Sequence, residues 1–143
     1  MPFREAVADL WEFDCTLRAI PTNGVVNPQT GRLVMGGGVA LQARQLFPTL
    51  DLELGRLVRA EGNIPFILRK YQVLSFPTKH HFKHPSLLSL IDQSCRLVVE
   101  LVEPEDVVAM PWPGCGLGGL TPSQVRPLLE NVLDDRFVLL SQP

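Results

Sequence analysis

Two glycine-rich segments are the first residues of this sequence whose types and spacing could do chemistry. They read VMGGGVA at 34–40 (the first glycine loop) and PGCGLGGL at 113–120 (the second glycine loop), and each is predicted to lie between a strand and a helix. Helix N-termini expose unpaired N–H groups that suit phosphate oxygens, and glycine lets the backbone approach a ligand closely. Either loop alone is equally well explained by tight turns and close helix–sheet contacts. Two such loops in one domain predict a diphosphate site.

The spacing of the glycines argues against two common nucleotide-binding motifs. Neither loop ends in the Gly-Lys-Ser/Thr of a P-loop NTPase. Gly114, Gly116 and Gly119 spell GxGxxG, but they lie near the C-terminus, and no strand carrying a ribose-binding acid follows them. The loops therefore predict a different kind of phosphate site.

Lys79 is the candidate reactive side chain, because it directly follows the apolar run YQVLSFPT. At the carboxyl end of a buried strand, beside an anion-binding cleft, a lysine is nucleophilic when its amine is neutral, and burial favours the neutral form. A diphosphate opposes that effect, so the amine has to lie near a sugar instead. The alternative is a lysine that only binds the diphosphate or lies on the surface.

The elements that must position these residues alternate between strands and helices. Strands are predicted at Leu17–Thr22 and in the segments IPFILRK, YQVLSFPT, DVVAMPWP and RFVLL. Helices are predicted from each glycine loop, over LDLELGRLVRAEG, and from Pro85 as a first helical residue; Thr121 is the expected N-cap and Pro122 the first residue of the last helix. This alternation predicts an α/β fold, with helices on both faces of a largely parallel or mixed sheet and ligands at the carboxyl ends of the strands.

Length and composition predict one soluble cytoplasmic domain over residues 1–143. The formal net charge is −2, which provides no general attraction to nucleic acid or to an anionic membrane. Three cysteines without CxxC spacing argue against disulfides and structural zinc, and no apolar run approaches the ~20 residues of a membrane span. We expect a monomer with no membrane contact and no cofactor.

The segment KHHFKH contains three histidines, His80, His81 and His84, and therefore raises the question of a metal site. Zinc needs three or four converging ligands, whereas adjacent histidines on a loop point apart and no carboxylate or cysteine is near in sequence. We expect no metal. This basic segment, with Lys83, is expected either to meet phosphates of a larger substrate at the rim of the cleft or to be simply solvated.

Three further side chains have a chemical and a structural interpretation. Cys115 lies before a helix, where thiol pKa values fall, but no partner base is close in sequence, so packing beneath the glycine loop is the better interpretation. Trp112 and Phe82 could stack on a base or sugar, and core packing is the default for Trp112.

Three segments together resemble the macrodomain family, whose members bind ADP-ribose. They are VMGGGVALQA, LSFPTKHHFKHPSLLSLIDQS and MPWPGCGLGGL. Their order covers nearly the whole chain and is similar to the branch that contains the DarG-type antitoxins, which remove ADP-ribose from DNA, and the terminal ADP-ribose protein glycohydrolase. The resemblance implies a three-layer α/β/α sandwich with a central mixed sheet and ADP-ribose in a cleft across the strand ends.

The resemblance also implies which residues hold ADP-ribose. Asp9 would accept a hydrogen bond from the adenine amine, and Asn23 would approach the distal ribose. The two glycine loops would hold the diphosphate. The complete implied binding set is Asp9, Asn23, Met35, Gly36, Gly37, Gly38, Val39, Thr78, Gly114, Cys115, Gly116, Leu117 and Gly118.

In this branch the lysine at the position of Lys79 is catalytic, which implies an ADP-ribosyl hydrolase. The amine would attack C1″ of the distal ribose, with the ring opening to an imine-like adduct that water then hydrolyses. Alternatively, it would only stabilise the charge that develops while a water attacks C1″. The protein glycohydrolase reads GCGLDRL, with aspartate where this chain has Gly118, so modified nucleic acid is favoured over modified protein as substrate. A non-catalytic ADP-ribose-binding module and an ADP-ribose 1″-phosphate phosphatase remain the alternatives.

Overall fold

The computed structural model describes residues 1–143. Its strands are Arg4–Val7 (β1), Leu17–Thr22 (β2), Phe66–Leu68 (β3), Val73–Pro77 (β4), Val108–Pro111 (β5) and Phe137–Ser141 (β6). Its α-helices are Gly38–Leu46 (α1), Leu50–Glu61 (α2), Leu88–Leu101 (α3) and Pro122–Val132 (α4), with short 3-10 helices at Arg69–Tyr71 and Gly116–Gly118. None of the helices combines the length and apolarity needed to cross a membrane.

The six strands form one mixed sheet in the order β1-β6-β5-β2-β4-β3. Only the short edge strand β3 runs antiparallel to its neighbour, and the other four pairings are parallel. The carboxyl ends of β2, β4 and β5 therefore meet at one edge of the sheet. This confirms the predicted mixed sheet and places the segments that follow these strands side by side.

Two apolar cores hold helices against the two faces of the sheet. Helices α3 and α4 contribute to one core, and α1 and α2 contribute to the other. Neighbouring residues of β2 point to opposite cores: Ala19 lies in the first and Ile20 in the second. Full burial of an aliphatic side chain such as Ile20 is worth about 1.5–3 kcal/mol. The three-layer α/β/α arrangement is confirmed.

The predicted start of α3 at Pro85 is wrong. The helix begins at Leu88, three residues later. Ser86 donates its N–H to the carbonyl of Gly118 (2.9 Å), and Leu87 donates its N–H to the carbonyl of Thr78 (2.9 Å). These bonds hold residues 86 and 87 in an extended conformation that ties three loops together, and tertiary contacts therefore override the local signal of the proline.

The predicted start of α4 is confirmed, with Thr121 as N-cap and Pro122 as first helical residue. Thr121 accepts the N–H of Gln124 on its side chain, and the Gln124 side chain accepts the N–H of Thr121 (2.8 Å). This reciprocal capping box satisfies two donors that would otherwise be unpaired at the helix start.

The prediction that each glycine loop follows a strand is correct for the second loop and wrong for the first. Before the first loop, Leu33 makes only an isolated bridge to Val26. Its N–H is bonded to the carbonyl of Asp51 in α2 (2.9 Å), so this segment is held by a helix and not by the sheet.

At the amino edge of the sheet, Asp106 joins three segments that are distant in sequence. Its carboxylate accepts two hydrogen bonds from Arg69 (2.8 Å each), one from the Thr16 hydroxyl (2.9 Å) and one from the N–H of Glu103 (2.8 Å). The hydrogen-bonded Arg69 guanidinium holds the pKa of Asp106 well below its usual value, against an opposing effect of burial. This cluster ties β2, the Arg69–Tyr71 turn and the start of β5 together.

Candidate functional site

A cavity of about 790 Å³ opens at the carboxyl edge of the sheet. That volume lies within the range of about 300–1,000 Å³ typical of small-molecule sites. Its floor comes from the ends of β2 and β5, and the two glycine loops and the segment after β4 form its walls. Among the residues expected to bind or react, the following line it: Asn23, Met35, Gly36, Gly37, Gly38, Val39, Thr78, Lys79, Gly114, Cys115, Gly116, Leu117 and Gly118.

The first glycine loop presents a row of unpaired backbone donors to this cavity. None of the N–H groups of residues 36–40 donates to a protein acceptor. Gly37 is the N-cap of α1 but has no side chain to satisfy those donors, and the first turn of the helix contains no acidic residue. Gly38 has a φ of +56°, which glycine adopts without the penalty of a Cβ. The loop therefore provides the donors and the positive helix end that suit an anion.

Two glycines of the second loop are required by contacts within the protein. A Cβ on Gly114 would lie 2.8 Å from both Ile91 and Leu120, and its φ is +78°. A Cβ on Gly118 would lie 2.3 Å from the Ser86 hydroxyl oxygen. At these two positions close packing excludes a side chain, which agrees with the alternative interpretation of the glycines as residues of tight turns and close contacts. The N–H groups of residues 117 and 118 nevertheless make no bond within the protein and remain available to a ligand.

Leu117 connects the two glycine loops across the cavity. Its side chain is 77% exposed, yet its Cδ1 would lie only 3.0 Å from a Cβ on Gly37 and 3.6 Å from one on Gly38. The loops therefore approach each other from opposite sides of the same space. A bridge of two phosphates is the kind of ligand that both sets of free amides could hold at once.

Lys79 is the only charged residue among those that line the cavity. Strand β4 ends two residues before it, and Thr78 fixes the chain by donating its N–H to the carbonyl of Thr22 (3.0 Å). Asn63 donates to the carbonyl of Lys79 itself (3.1 Å). The side chain is half-buried and has no carboxylate within 4 Å. A cavity with one cation and no carboxylate favours an anionic ligand.

Asn23 lines the cavity, but its side chain also braces the loop that carries it. The amide donates to the carbonyl of Val34 (2.9 Å) and accepts the N–H of Val25 (2.8 Å). The residue is only 8% exposed. These two bonds hold the segment that leads to the first glycine loop. One hydrogen of the Asn23 amide remains for a ligand.

Asp9 is the one candidate binding residue that does not line the cavity. It is exposed after β1, and one carboxylate oxygen accepts the N–H of Trp11 (2.8 Å). The Trp11 indole donates to the side chain of Gln42 (2.9 Å), which does line the cavity. Asp9 is thus linked to the cavity rim only through Trp11 and Gln42, and its expected contact with adenine remains a prediction.

Cys115 lines the cavity, but its surroundings do not activate it. Burial raises the pKa of its thiol, so the thiol stays protonated at neutral pH. The Sγ–H group points to the carbonyl of Pro113 (3.8 Å). Cys115 also packs against the core beneath α3 and α4. The interpretation of Cys115 as a packing residue agrees with these contacts.

Trp112 belongs both to the cavity wall and to the core. Its ring meets Phe3 edge-on, with 6.0 Å between ring centroids, and the Arg126 guanidinium lies 4.8 Å from its centroid. Core packing, the default expected for Trp112, is thus present, while one part of the side chain lines the cavity.

The three histidines after Lys79 do not converge on a point where a metal ion could be held. They lie in the histidine loop, residues 79–84, in which the His81 ring stacks on Phe82 at 4.5 Å. Phe82 lines the cavity and is 41% exposed, so the loop forms the rim beside Lys79.

Several lining residues were not singled out from the sequence. Ser86, Gln42 and Gln142 all line the cavity. Gln142 follows β6, and only the sheet order reveals that the C-terminus reaches this edge. Ser86 is buried with an unpartnered hydroxyl, and no local pattern distinguishes it from an ordinary residue before a helix.

No family model matches the chain. Two curated proteins resemble it in sequence. The DNA ADP-ribosyl glycohydrolase of Thermus aquaticus is 28% identical in an alignment of 127 positions that covers 80% of this chain and 35% of that protein. A DNA ADP-ribosyl transferase–DNA ADP-ribosyl glycohydrolase fusion protein of Thermosipho africanus is 33% identical in an alignment of 126 positions that covers 70% of this chain and 32% of that protein. The chain thus spans about a third of each relative, as those shares of 35% and 32% show.

Solved structures show the same fold over nearly the whole chain. The macrodomain of Thermus aquaticus DarG superposes with a TM-score of 0.73 at 26% identity and covers 99% of this chain and 98% of that one. Thermosipho africanus DarTG, solved in complex with ADP-ribose, superposes with a TM-score of 0.76 at 25% identity and covers 99% of this chain and 42% of that one. The six-stranded mixed sheet with its four helices is therefore a macrodomain fold.

Proposed function

We propose that the chain, which is a macrodomain of the DarG type, removes ADP-ribose from modified DNA by attack at C1″ of the distal ribose. Two relatives with this activity in their names and a related structure solved with ADP-ribose support the proposal. The observation that carries it is the composition of the cavity, in which Lys79 is the only charged residue. The same observation favours Lys79 as the catalytic residue.

In the proposed complex the diphosphate accepts hydrogen bonds from the free amides of residues 36–40 and of residues 117 and 118. With the diphosphate fixed there, the distal ribose extends toward the end of β4. Asn23 has one free amide hydrogen for that sugar, and Asp9 would receive the adenine amine at the opposite end. The half-exposed Lys79 then lies where C1″ is presented.

The composition of the cavity favours direct attack by Lys79 over attack by an activated water. No carboxylate and no histidine lines the cavity, so the cavity wall contains neither of the usual general bases that could deprotonate a water. In the direct mechanism the neutral amine forms a bond to C1″ as the bond from C1″ to the DNA breaks, and the leaving group takes up the proton. The resulting glycosylamine then opens at the C1″–O4″ bond, and its remaining N–H proton passes to O4″, which gives an imine. Water hydrolyses this imine, which frees ADP-ribose and restores the amine.

The extent of the domain and its setting are part of the proposal. Strand β1 pairs with β6, so the two ends of the chain lie side by side in one sheet. We therefore propose that residues 1–143 form a single macrodomain. We also propose that it acts in the cytoplasm as a monomer, with ADP-ribose as its product.

A panel of three substrates tests the reaction. ADP-ribosylated single-stranded DNA, ADP-ribosylated protein and ADP-ribose 1″-phosphate are incubated with the wild type and with Lys79→Ala, Lys79→Arg and Lys70→Ala. Lys70 is the matched control, since its ammonium pairs with Glu53 (2.9 Å) away from the cavity. We expect release from DNA by the wild type and Lys70→Ala, and a loss of at least 100-fold, typical of a reacting group, in the other two.

Other outcomes of this substrate panel would indicate a different role for Lys79 or a different function. Unchanged release by Lys79→Arg indicates that charge alone suffices, and unchanged release by Lys79→Ala contradicts a catalytic role. Tight binding of ADP-ribose with no release from any substrate identifies a binding module. Preference for ADP-ribose 1″-phosphate identifies a phosphatase.

A further inference from the structure

Beside the cavity, the histidine loop carries an uncompensated basic and aromatic surface. Residues 79–84 contain two lysines, three histidines and one phenylalanine, and no carboxylate. No carboxylate of the protein lies within 4 Å of Lys79 or Lys83. The rest of the molecule carries a net negative charge, so this local excess of cations differs from its surroundings.

The loop is held in place by hydrogen bonds to two other segments. Gly24 donates its N–H to the carbonyl of His80 (3.0 Å), and the Asn63 amide nitrogen lies 3.1 Å from the carbonyl of Lys79. Within the loop, Lys83 donates its N–H to the His81 ring nitrogen (3.1 Å). A surface that is already ordered loses little entropy when it binds a partner.

Phe82 is the central aromatic residue of this surface. His81 stacks on its ring, and the Lys83 ammonium lies 6.0 Å from its centroid. Despite these neighbours the side chain remains 41% exposed while it also lines the cavity that contains Lys79. An exposed ring next to cations is the combination on which single-stranded nucleic acids are bound, with bases stacked on the ring and phosphates near the cations.

We infer that the histidine loop binds the single-stranded DNA next to the modified nucleotide. The inference rests on the proposed function, because the bond to be broken then lies at Lys79, and Phe82 lines the same cavity three residues further along the chain. A neighbouring base stacks on Phe82, and Lys83 with the flanking histidines contacts the phosphates. A protein substrate offers neither a base for the ring nor a row of phosphates for the cations.

The test compares two substrates that share the reacting bond. One is an ADP-ribosylated single-stranded oligonucleotide, and the other is the same modified mononucleotide freed by nuclease digestion. The quantity measured is the ratio of kcat/KM for the oligonucleotide to kcat/KM for the mononucleotide. Phe82→Ala is expected to lower this ratio about tenfold, because one base–aromatic stack is lost. Phe82→Tyr is expected to keep it.

Salt dependence separates the cation from the ring. Lys83→Ala is expected to lower the slope of log(kcat/KM) against log[salt] by about 0.7, the value for one phosphate contact on a single strand. Two matched controls lie outside the cavity. Leu101→Ala removes an apolar side chain at the end of α3 whose exposure, 42%, is close to the 41% of Phe82, and Arg4→Ala removes one positive charge at the start of β1. Both should behave as the wild type.

Binding of unmodified DNA tests the inference independently of the release of ADP-ribose. The anisotropy of a fluorescent, unmodified single-stranded oligonucleotide is followed in the presence of saturating ADP-ribose. Weaker binding by Phe82→Ala and Lys83→Ala, with normal thermal unfolding, supports the inference whether or not the chain is a hydrolase. Equal binding and equal kcat/KM ratios in all variants overturn it, and leave the proposed hydrolysis standing if ADP-ribose is still released.

Discussion

The contact between Gly118 and Ser86 predicts that position 118 will not accept a side chain. A Cβ at Gly118 would lie 2.3 Å from the Ser86 Oγ and 3.1 Å from its Cβ. Ser86 is only 6% exposed, so its hydroxyl has little room to turn away, and its Cβ adds a second tight contact. Gly118→Ala should therefore destabilise the protein by about 1–3 kcal/mol, the usual cost of overpacking.

The magnitude can be measured as a shift of the melting temperature. For a chain of this length, 1 kcal/mol corresponds to about 3 °C, so Gly118→Ala should melt about 3–9 °C below the wild type. Ser86→Ala removes a buried hydroxyl that has no partner and should therefore leave the stability unchanged or raise it. In the double variant the closest contact is gone, so at least about 1 kcal/mol should be recovered as coupling energy.

Thermal unfolding followed by circular dichroism provides the assay, with Gly36→Ala as control. A Cβ on Gly36 would meet nothing within 4 Å, so that variant should melt like the wild type. The reasoning is refuted if Gly118→Ala melts within about 1 °C of the wild type, a difference too small for an overpacked site. It is also refuted if Ser86→Ala recovers none of the lost stability.

Three further variants test other parts of the structure. Gly55→Ala should lower the urea midpoint strongly, by more than about 3 kcal/mol of stability, because its Cβ would lie 2.0 Å from the backbone carbonyl oxygen of Gly31; a normal midpoint would contradict this contact. Asp106 has a lowered pKa in the folded state, so its ion pair contributes its full stability above the ordinary pKa of the carboxyl, and this contribution declines progressively as the pH falls below about 4 towards the lower folded-state pKa. Asp106→Asn should therefore be less stable than the wild type at pH 7, and the difference in unfolding free energy should be smaller at pH 3. A difference that is the same at both pH values would contradict this role of the Asp106 carboxylate. Cys115→Ala should keep at least half of the release activity, since burial raises the pKa of this thiol and keeps it protonated; complete loss of release with normal folding would make the thiol part of the chemistry.

Much of the fold followed from local sequence patterns. LRAIPT is β2 with the predicted bounds, Leu17–Thr22, because a short, largely apolar run and a following turn are local properties. Thr121 caps α4 as predicted, because capping depends only on the next few residues. The site at the carboxyl edge followed from the alternation of strands and helices, and 13 of the 14 candidate residues line the cavity.

The features that escaped prediction depend on contacts between distant segments. Pro85 looked like a helix start, but the bonds of residues 86 and 87 to the second glycine loop and to Thr78 delay α3 until Leu88. Close contacts at Gly114 and Gly118 were one of the two explanations that the sequence offered, but the residues in contact, Ile91 and Ser86, could not be predicted from it. No sequence pattern reveals such long-range neighbours.

The central claim is that two amide-lined loops hold a diphosphate and present C1″ to Lys79. A crystal structure of the protein with ADP-ribose tests it most directly. The account predicts diphosphate oxygens about 2.7–3.2 Å from the N–H nitrogens of residues 36–40 and of residues 117 and 118, and C1″ about 3–3.5 Å from the Lys79 Nζ. A diphosphate bound away from both loops, or a C1″ on the far side of the cavity from Lys79, would contradict it.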